Sequence, residues 1–211
     1  MLYLYAFAAQ PAQPTEARGV DGRAPTVVEL GAIDAFVAQV DGSLERTDEH
    51  VLAHARVIDA LAETNDAVLP VRFGRGFSDA HDLEAAVAGR VAELARRLDA
   101  VRGCVEFGLY VVTPAQEPVS AATGSDYLRR RLRDVQLAEE LAEHIHAPLA
   151  EHARESTRTS TAGASTLLRS SYLVPRGDVD RFRACVEDLQ HRNAGLAFAC
   201  TGPWPPYSFT S

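Results

Sequence analysis

Helical and alternating spacings of apolar residues divide this chain into helices and short strands. The segment Thr47–Phe77 shows both periods in turn. Apolar residues first recur every three or four positions, which predicts a helix with Thr47 as its N-cap and Asn65 as its stop. The period then changes to two, which predicts a strand over Val68–Phe73. The sequence therefore predicts a helix that passes directly into a strand.

One face of this strand is apolar and is expected in the core. Its members are Leu69, Val71 and Phe73. Arg72 faces the other way, where a partner or a buried carboxylate would meet it. Pro70 has no N–H group for a sheet ladder, so it belongs at an edge or a bulge. Gly74 is expected to end the strand in a turn.

The other apolar patterns predict alternating strands and helices. Both faces of the strand over 2–8 are apolar, as in an interior strand. Further strands are predicted at 26–30, 33–40 (or one helical turn there), 105–112, 166–174 and 196–201. Further helices are predicted from Ser78 or Asp79 to about Ala100, from Ser125 past Pro148, which should kink or interrupt it, and from Asp178. Loops are predicted at 10–23, 113–123 and 154–165, the last one mobile.

This order of elements predicts an α+β protein with two small domains and mixed sheets. We expect an N-terminal α+β domain over 1–102 and a ferredoxin-like domain over 103–211. Long amphipathic helices would join the two. The second domain would carry the Ser125 helix and the proline- and aromatic-rich tail.

Composition narrows the range of functions. Of the 211 residues, 46% are hydrophobic, the net charge is −8 and every basic residue is arginine. An acidic chain of this kind argues against binding to nucleic acid or to an anionic membrane. The apolar run near the N-terminus is too short for a signal peptide or a membrane span. We therefore expect a soluble, cytoplasmic protein that binds neither nucleic acid nor membrane.

Histidine pairs are the candidates for a metal or haem site, and we expect them to hold none. His50 and His54 share a helical face, but no third ligand follows at a suitable spacing, so solvated side chains are expected. His144 and His152 form a weaker pair on a later helix. No phosphate-binding loop or nucleophile elbow is present. No catalytic residue, metal or cofactor is predicted.

The C-terminal segment Gly202–Ser211 concentrates prolines and aromatic side chains. Its three prolines favour a polyproline II conformation. Trp204, the single tryptophan, is expected to pack on its own domain and brace the last sheet. The alternative is an aromatic docking strip for a partner. A run of arginines over 129–133 is expected to be a solvated helix face.

Three sequence blocks together resemble the gas vesicle accessory protein family called F/L. They are LPVRFG at Leu69–Gly74, GSDYLRRR at Gly124–Arg131 and TGPWPPYSF at Thr201–Phe209. The strand VEFGLYVV at Val105–Val112 precedes the middle block, as expected of the family. The resemblance covers nearly the whole chain.

The resemblance implies a non-enzymatic accessory protein of gas vesicles, located on them in the cytoplasm and without a cofactor. It further implies binding to the very hydrophobic major shell protein and to other accessory proteins during assembly. A shell of aggregation-prone subunits needs a soluble partner that covers apolar surface. The candidate partner-binding residues are Arg72, Phe73, Gly74, Tyr127, Arg130, Trp204, Pro205, Pro206 and Tyr207.

Two other functions stay open at this point. One is a ferredoxin-like enzyme or small-ligand binder that holds haem or a metal through His50 and His54 or His144. The other is a regulator that binds effectors on a ferredoxin-like sheet. An absorbance spectrum and elemental analysis of the purified protein separate the first of these from a gas vesicle role.

Overall fold

Strand β1 (Leu2–Ala9) is the interior strand of the first sheet. It pairs with β3 (Ile33–Gln39) on one side and with β4 (Val68–Pro70) and β5 (Gly76–Phe77) on the other. β2 (Thr26–Leu30) lies outside β3. All but the last residue of β1 are buried, as predicted from its two apolar faces. β4 lies at the edge of the sheet, which confirms the edge position predicted for Pro70. At an edge, a proline removes no ladder bond from the sheet interior.

The first helix, α1 (Asp48–Thr64), begins and ends where its sequence predicts. The Thr47 side chain accepts a hydrogen bond from the His50 N–H at 3.2 Å, which caps the first turn. At the other end the Asn65 side chain donates to the Leu61 carbonyl at 3.0 Å. Asn65 has an extended backbone, so it ends the helix through its amide group and not through a left-handed turn.

The long helix predicted from residue 78 or 79 is two helices. α2 (Ala80–Val87) is followed by a 3₁₀ turn at Ala88–Arg90 and then by α3 (Val91–Val101). Arg90 leaves helical geometry with φ −120° and ψ −1°. Gly89 lies in this turn, and glycine is a poor helix former, so the apolar period continues while the backbone does not. The prediction of one continuous helix is therefore wrong.

A second sheet contains β6 (Cys104–Val112), β7 (Glu155–Arg158), β8 (Thr166–Pro175) and β9 (Ala197–Trp204), in the order β7-β8-β6-β9. Two helices cross between its strands, α4 (Gly124–Ala150) after β6 and α5 (Val179–Arg192) after β8. This β-α-β-β-α-β order is the one that the prediction of a ferredoxin-like unit requires. Each helical crossover skips one strand, so neighbouring strands run antiparallel. Both sheets are antiparallel, and the prediction of mixed sheets is wrong.

The computed structural model describes residues 1–42, 44–114, 124–159 and 166–210, without the side chains at 126, 127 and 130. The loop predicted at 113–123 lies mostly outside these ranges, as does 160–165 of the predicted mobile loop. The start of that mobile loop is instead the strand β7. Helix α4 is not interrupted at Pro148 and ends two residues later. No helix among the described residues is long and apolar enough to cross a membrane.

The chain forms two compact units. Unit 1 consists of Met1–Val105 with Trp204–Ser211, and unit 2 of Glu106–Pro203. The tail therefore groups with the first unit and not with the domain predicted over 103–211. The core of unit 1 holds Tyr3 and Tyr5, which are inaccessible to solvent. In unit 2 the rings of Phe107, Tyr172 and Phe182 fill the core.

Candidate functional site

The segment 71–75 separates β4 from β5 and forms a loop at the edge of the first sheet. The Val71 N–H donates to the Tyr5 carbonyl at 2.8 Å, and the Leu4 N–H donates to the Arg75 carbonyl at 3.0 Å. Between these two bonds the loop leaves β1, and pairing resumes at β5. The strand predicted over Val68–Phe73 is therefore too long, because β4 ends at Pro70. We call residues 71–75 the edge loop.

Gly74 makes the turn of the edge loop possible. Its φ is +92°, in the region that favours glycine, and its N–H donates to the Tyr3 hydroxyl oxygen at 3.3 Å. Any side chain at this position would be strained. The predicted turn at Gly74 is thus present, and it is held by a side chain from the centre of the sheet.

Buried His54 joins the edge loop to α1 and β1. Its Nε2–H donates to the Val71 carbonyl at 2.9 Å, so its Nδ1 is the atom that accepts from the Tyr3 hydroxyl at 2.8 Å. Burial lowers the pKa of His54, which keeps the ring neutral and suits these two bonds. Burial also raises the pKa of Tyr3 to about 12. The hydroxyl of Tyr3 therefore stays protonated and links Gly74 to His54.

This arrangement corrects the expectation of two solvated histidines. His54 is 4% exposed and stacks on Tyr5, with ring centroids 5.5 Å apart. His50 instead uses its Nδ1 for a bond to the Glu45 carbonyl at 2.7 Å. Among the described residues no group of three His, Cys, Asp or Glu side chains comes together to hold a metal ion.

Phe73 and Arg72 occupy different environments in the edge loop. Phe73 is half-buried, with its ring centroid 5.7 Å from that of His54 and 6.0 Å from that of Tyr3. It lies at the margin of the core, because the loop has left the strand, so its predicted place inside the core is wrong. Arg72 is exposed and makes no ion pair with any residue that the structure describes.

The C-terminal tail follows β9 as a short strap. Pro205, Pro206 and Phe209 are buried, and Phe209 is only 5% exposed. The Tyr207 N–H donates to the Pro205 carbonyl at 2.8 Å around Pro206, whose φ of −77° and ψ of 63° are those of an inverse γ-turn. The expected polyproline II path is therefore wrong at Pro206, where the chain turns.

Trp204 does not pack as we expected. It is 50% exposed, and Tyr207 is 39% exposed, whereas Phe209 takes the buried position. The 3₁₀ turn at Tyr207–Phe209 lies against β4. The tail is thus anchored by its last aromatic residue and presents the two earlier ones to solvent. Sequence reasoning missed Phe209, because its neighbour Trp204 is larger and was the more obvious anchor.

Two of the three sequence blocks therefore adjoin β4. The edge loop directly follows this strand, and the strap lies against it. We call their accessible side chains, Arg72, Phe73, Trp204 and Tyr207, the β4 edge surface. Gly74, Pro205 and Pro206 support this surface through a turn and buried rings, and the two prolines themselves offer no exposed side chain for a partner.

The other two predicted residues, Tyr127 and Arg130, lie in α4 and belong to unit 2. Their side chains are outside the described part of the structure. Sequence reasoning also missed Tyr3 and His54 as the residues that fix the edge loop. The signal was available in the aromatic residues of β1, but nothing in the sequence pairs Tyr3 with a glycine in a distant block.

Comparison with known proteins gives a consistent result over the whole length. The family model described as gas vesicle synthesis protein GvpL/GvpF matches residues 1–211. The chain is 29% identical to gas vesicle protein F1 of Halobacterium salinarum, covering 99% of this chain and 92% of that protein. It is 28% identical to gas vesicle protein L of a Streptomyces species, covering 93% and 86%. These two relatives, one named F and one named L, thus match with similar identity.

Solved structures show the same fold at low sequence identity. The crystal structure of gas vesicle protein GvpF from Anabaena sp. PCC7120 matches with a TM-score of 0.83 and 15% identity, over 100% of this chain and 95% of that one. GvpF from Microcystis aeruginosa matches with a TM-score of 0.82 and 14% identity, over 100% and 98%. With the family model matching from end to end, the chain belongs to the GvpL/GvpF family of gas vesicle synthesis proteins.

Proposed function

We propose that this protein is an assembly factor of gas vesicles that binds the hydrophobic major shell protein through the β4 edge surface. Other gas vesicle accessory proteins are further partners in the same proposal, and the protein acts on gas vesicles in the cytoplasm. It acts by covering apolar surface of its partners during assembly, without a cofactor and without catalysing a reaction. Membership of the gas vesicle family supports the cellular role, and the β4 edge surface supports the binding mode.

The observation that carries the binding mode is the half-exposed Trp204 on a fixed strap. Tryptophan and tyrosine are the side chains that contribute most often at the centre of protein interfaces. Trp204 and Tyr207 are 50% and 39% exposed, although Pro205 and Pro206 between them and Phe209 after them are buried. A partner that covers them removes apolar area from water without first ordering the tail, which lowers the entropic cost of binding.

Arg72 gives the same surface one polar contact. Its guanidinium is exposed beside the half-buried Phe73, and arginine is enriched at protein interfaces because it combines planar donors with an apolar stem. The surface therefore suits a partner with an apolar patch that has a carboxylate or a free carbonyl at its margin. This is the chemistry of an amphipathic subunit before it is incorporated into a shell.

Complementation in cells lacking this gene tests the proposal. The chain is restored as the wild type, as Trp204→Ala with Tyr207→Ala, or as Tyr110→Ala. We expect gas vesicles and co-purification of the major shell protein with the wild type, and loss of both with the double variant. Removal of two interface aromatics typically costs several kcal/mol of binding, which corresponds to about a hundredfold or more in affinity.

Tyr110→Ala is the matched control. Tyr110 is 41% exposed, similar to Tyr207, but it lies in unit 2 next to Arg169. It should therefore leave vesicle formation and co-purification unchanged. If the double variant accumulates as folded protein and still retains the shell protein, binding does not occur at the β4 edge surface. If even the wild type fails to retain any gas vesicle protein, the assembly role itself is rejected.

A further inference from the structure

Strand β2 forms one edge of the first sheet, opposite the edge that is formed by β4. It pairs with β3 on one side, and no strand that the structure describes pairs with it on the other. Proteins commonly protect such an edge with a proline, a bulge or several charges. Over its five described residues β2 has neither a proline nor a bulge, and its one charged residue is Glu29. The outer edge of β2 is therefore open to a further strand.

The two-residue hairpin loop after β2 shows which backbone groups face outward. This loop joins Leu30 to Ile33, and the residues that flank such a loop exchange both hydrogen bonds. Bonded pairs recur at every second residue, so Glu29 and Val27 are the residues whose N–H and C=O groups point away from β3. A further strand would form its hydrogen bonds with these two residues.

An apolar cavity of about 170 Å³ lies at the end of this open edge. Its walls are formed by Leu30, Gly31, Glu84, Val87, Ala88 and Val91. An apolar cavity of roughly 150 Å³ holds one benzene molecule, so this one is large enough for a branched aliphatic side chain. In an added strand, the residue opposite Leu30 points to the same side of the sheet as Leu30, and therefore toward the cavity.

Glu29 gives the open edge a negative charge. It is exposed and lies opposite Asp34 of β3, so both carboxylates are on one face of the sheet. Asp34 is buried and accepts hydrogen bonds from the Gln10 side chain at 2.9 Å and the Ala12 N–H at 3.0 Å. Glu29 forms no ion pair with any residue that the structure describes. An arginine opposite Glu29 in an added strand would therefore meet a carboxylate that is still available.

The other charges along the cavity and the edge are also mainly acidic. The segments 26–34 and 80–91 contain four acidic residues and one arginine. That arginine, Arg90, already pairs with Glu93 at 3.4 Å. Charge complementarity thus favours a basic segment over an acidic one at this edge.

We propose that the open edge of β2 is a second docking surface, which binds an extended segment of a partner protein as an added antiparallel strand. In that segment an aliphatic residue opposite Leu30 enters the cavity, and an arginine or lysine directly after it pairs with Glu29. The backbone bonds are independent of sequence, whereas the cavity and the carboxylate select the partner. This surface lies on the opposite edge of the sheet from β4, so it is separate from the β4 edge surface.

A second copy of β2 fits this edge less well. Two copies paired antiparallel about Val28 would place Thr26 of one opposite Leu30 of the other, which brings a small polar side chain to the apolar cavity. The same register places the two Glu29 side chains diagonally on one face, with no basic residue of either strand between them. The partner is therefore a different chain.

Two labelled peptides test the choice of partner on the full chain. One has the sequence Ser-Leu-Arg-Val-Thr-Val-Ser, in which leucine enters the cavity and arginine meets Glu29; in the other, glutamate replaces arginine. We expect fluorescence anisotropy to show binding of the arginine peptide and binding at least about tenfold weaker for the glutamate peptide. Glu29→Arg should invert this preference.

Two N-methylated forms of the arginine peptide test whether the segment binds as a strand. The N–H group of the arginine faces β2, because arginine lies opposite the outward-facing Glu29, whereas the N–H group of the next residue, valine, faces away. Methylation at arginine should therefore weaken binding by about tenfold or more, and methylation at valine should leave it within about threefold. Both forms carry the same charge, so a difference between them is not electrostatic.

A pair of protein variants tests the cavity. Val91 faces Gly31 across it, since a Cβ atom on that glycine would lie 3.9 Å from the Val91 Cγ1 atom. Val91→Phe should fill the cavity and weaken binding of the arginine peptide by about tenfold or more. Val51→Phe is the matched control, because Val51 is also half-buried in the first turn of a helix but does not line the cavity. Circular dichroism checks that both variants are folded.

Five outcomes would overturn the proposal. They are absence of binding by the arginine peptide, equal binding of both peptides, equal effects of the two methylations, equal binding by Val91→Phe and Val51→Phe, and a wild-type dimer in sedimentation equilibrium that Val27→Pro dissociates. The last would assign the edge to a second copy, since this proline removes an outward N–H group and no bond to β3. None of these outcomes bears on Trp204, because the two surfaces are separate.

Discussion

At the scale of single residues, the edge loop depends on three hydrogen bonds that converge on two buried side chains. Gly74 donates to Tyr3, Tyr3 donates to His54, and His54 donates to Val71. Each bond joins residues that are distant in sequence, so the loop is positioned by the core of unit 1 and not by its own composition. The exposed Arg72 and the half-buried Phe73 are consequently held in a defined place, which would limit the entropy that the proposed binding must remove.

Replacement of His54 with phenylalanine tests this set of bonds. The variant leaves the Tyr3 hydroxyl without its acceptor and the Val71 carbonyl without its donor, while keeping an aromatic ring of similar size. Two unsatisfied buried groups should lower the free energy of unfolding by about 2–4 kcal/mol in urea denaturation. His50→Phe, at a more accessible position one turn earlier on the same helix, loses only the bond to the Glu45 carbonyl and should cost no more than about 1 kcal/mol. Equal stability of the two variants would contradict the bonding described for His54.

Gly202 provides the second prediction at this scale. Its φ is +121°, and a Cβ atom would lie 2.6 Å from the Glu106 carbonyl oxygen. Gly202→Ala should therefore destabilise the protein by about 1–3 kcal/mol in urea denaturation. Gly195→Ala is the control, because that position has open space and no positive φ. An unchanged unfolding midpoint for Gly202→Ala would mean that β6 and β9 are less closely paired there than described.

At the scale of elements, the strap after β9 has one buried aromatic residue, Phe209, and two accessible ones, Trp204 and Tyr207. Phe209→Ala should cost about 3–5 kcal/mol, since it removes a buried ring, whereas Trp204→Ala should change the free energy of unfolding by about 0.5 kcal/mol or less. Urea denaturation followed by circular dichroism measures both. The reverse ranking would mean that Trp204 is the buried residue that braces the last sheet, as the sequence predicts.

The predicted and observed elements differ where distant residues decide the outcome. Thr47 and Asn65 bound α1 through local hydrogen bonds, so the sequence was sufficient there. The end of β4 was not predictable, because the turn at Gly74 is held by Tyr3 from another strand. β7 has a polar sequence typical of a loop, but it pairs in register with β8, and its Arg158 binds Glu139 and Glu143 on α4.

In the candidate site, too, the sequence indicates the segments, but distant contacts decide which side chains are exposed. The three family blocks select the candidate segments, and the aromatic composition of the tail makes Trp204 and Tyr207 candidates within them. Which of these side chains is exposed could not be predicted, since a proline- and aromatic-rich tail is equally suited to bracing a core or binding a partner. Burial of Phe209 against β4 decides it, and that contact joins residues more than a hundred positions apart.

At the scale of the whole molecule, stability should fall as the solution is acidified below pH 6.5. Burial lowers the pKa of His54 in unit 1 and of His146 in unit 2 from 6.5. The unfolded chain then binds more protons than the folded one between 6.5 and the lowered pKa values. The contribution of these two rings to the free energy of unfolding is therefore constant above that window and decreases as pH falls through it.

Urea midpoints between pH 7 and pH 5 measure this dependence. The double variant His54→Phe and His146→Phe removes both titrating groups, so its midpoint should change less with pH than that of the wild type. His146 also bonds Tyr172 at 2.8 Å, so the variant is less stable at every pH, and the slope is the quantity to compare. Equal slopes would mean that burial does not lower the pKa of either histidine ring in the folded protein.

The fluorescence of Trp204 tests the central claim, which is that the β4 edge surface binds the shell protein. It is the single tryptophan of the chain, so its emission reports on this site alone. The complex of the Trp204→Phe variant with the shell protein serves as the blank. We predict the emission of a half-exposed indole in the free protein, and a shift to shorter wavelength with loss of acrylamide quenching when the shell protein binds. Binding that leaves both unchanged would contradict the account.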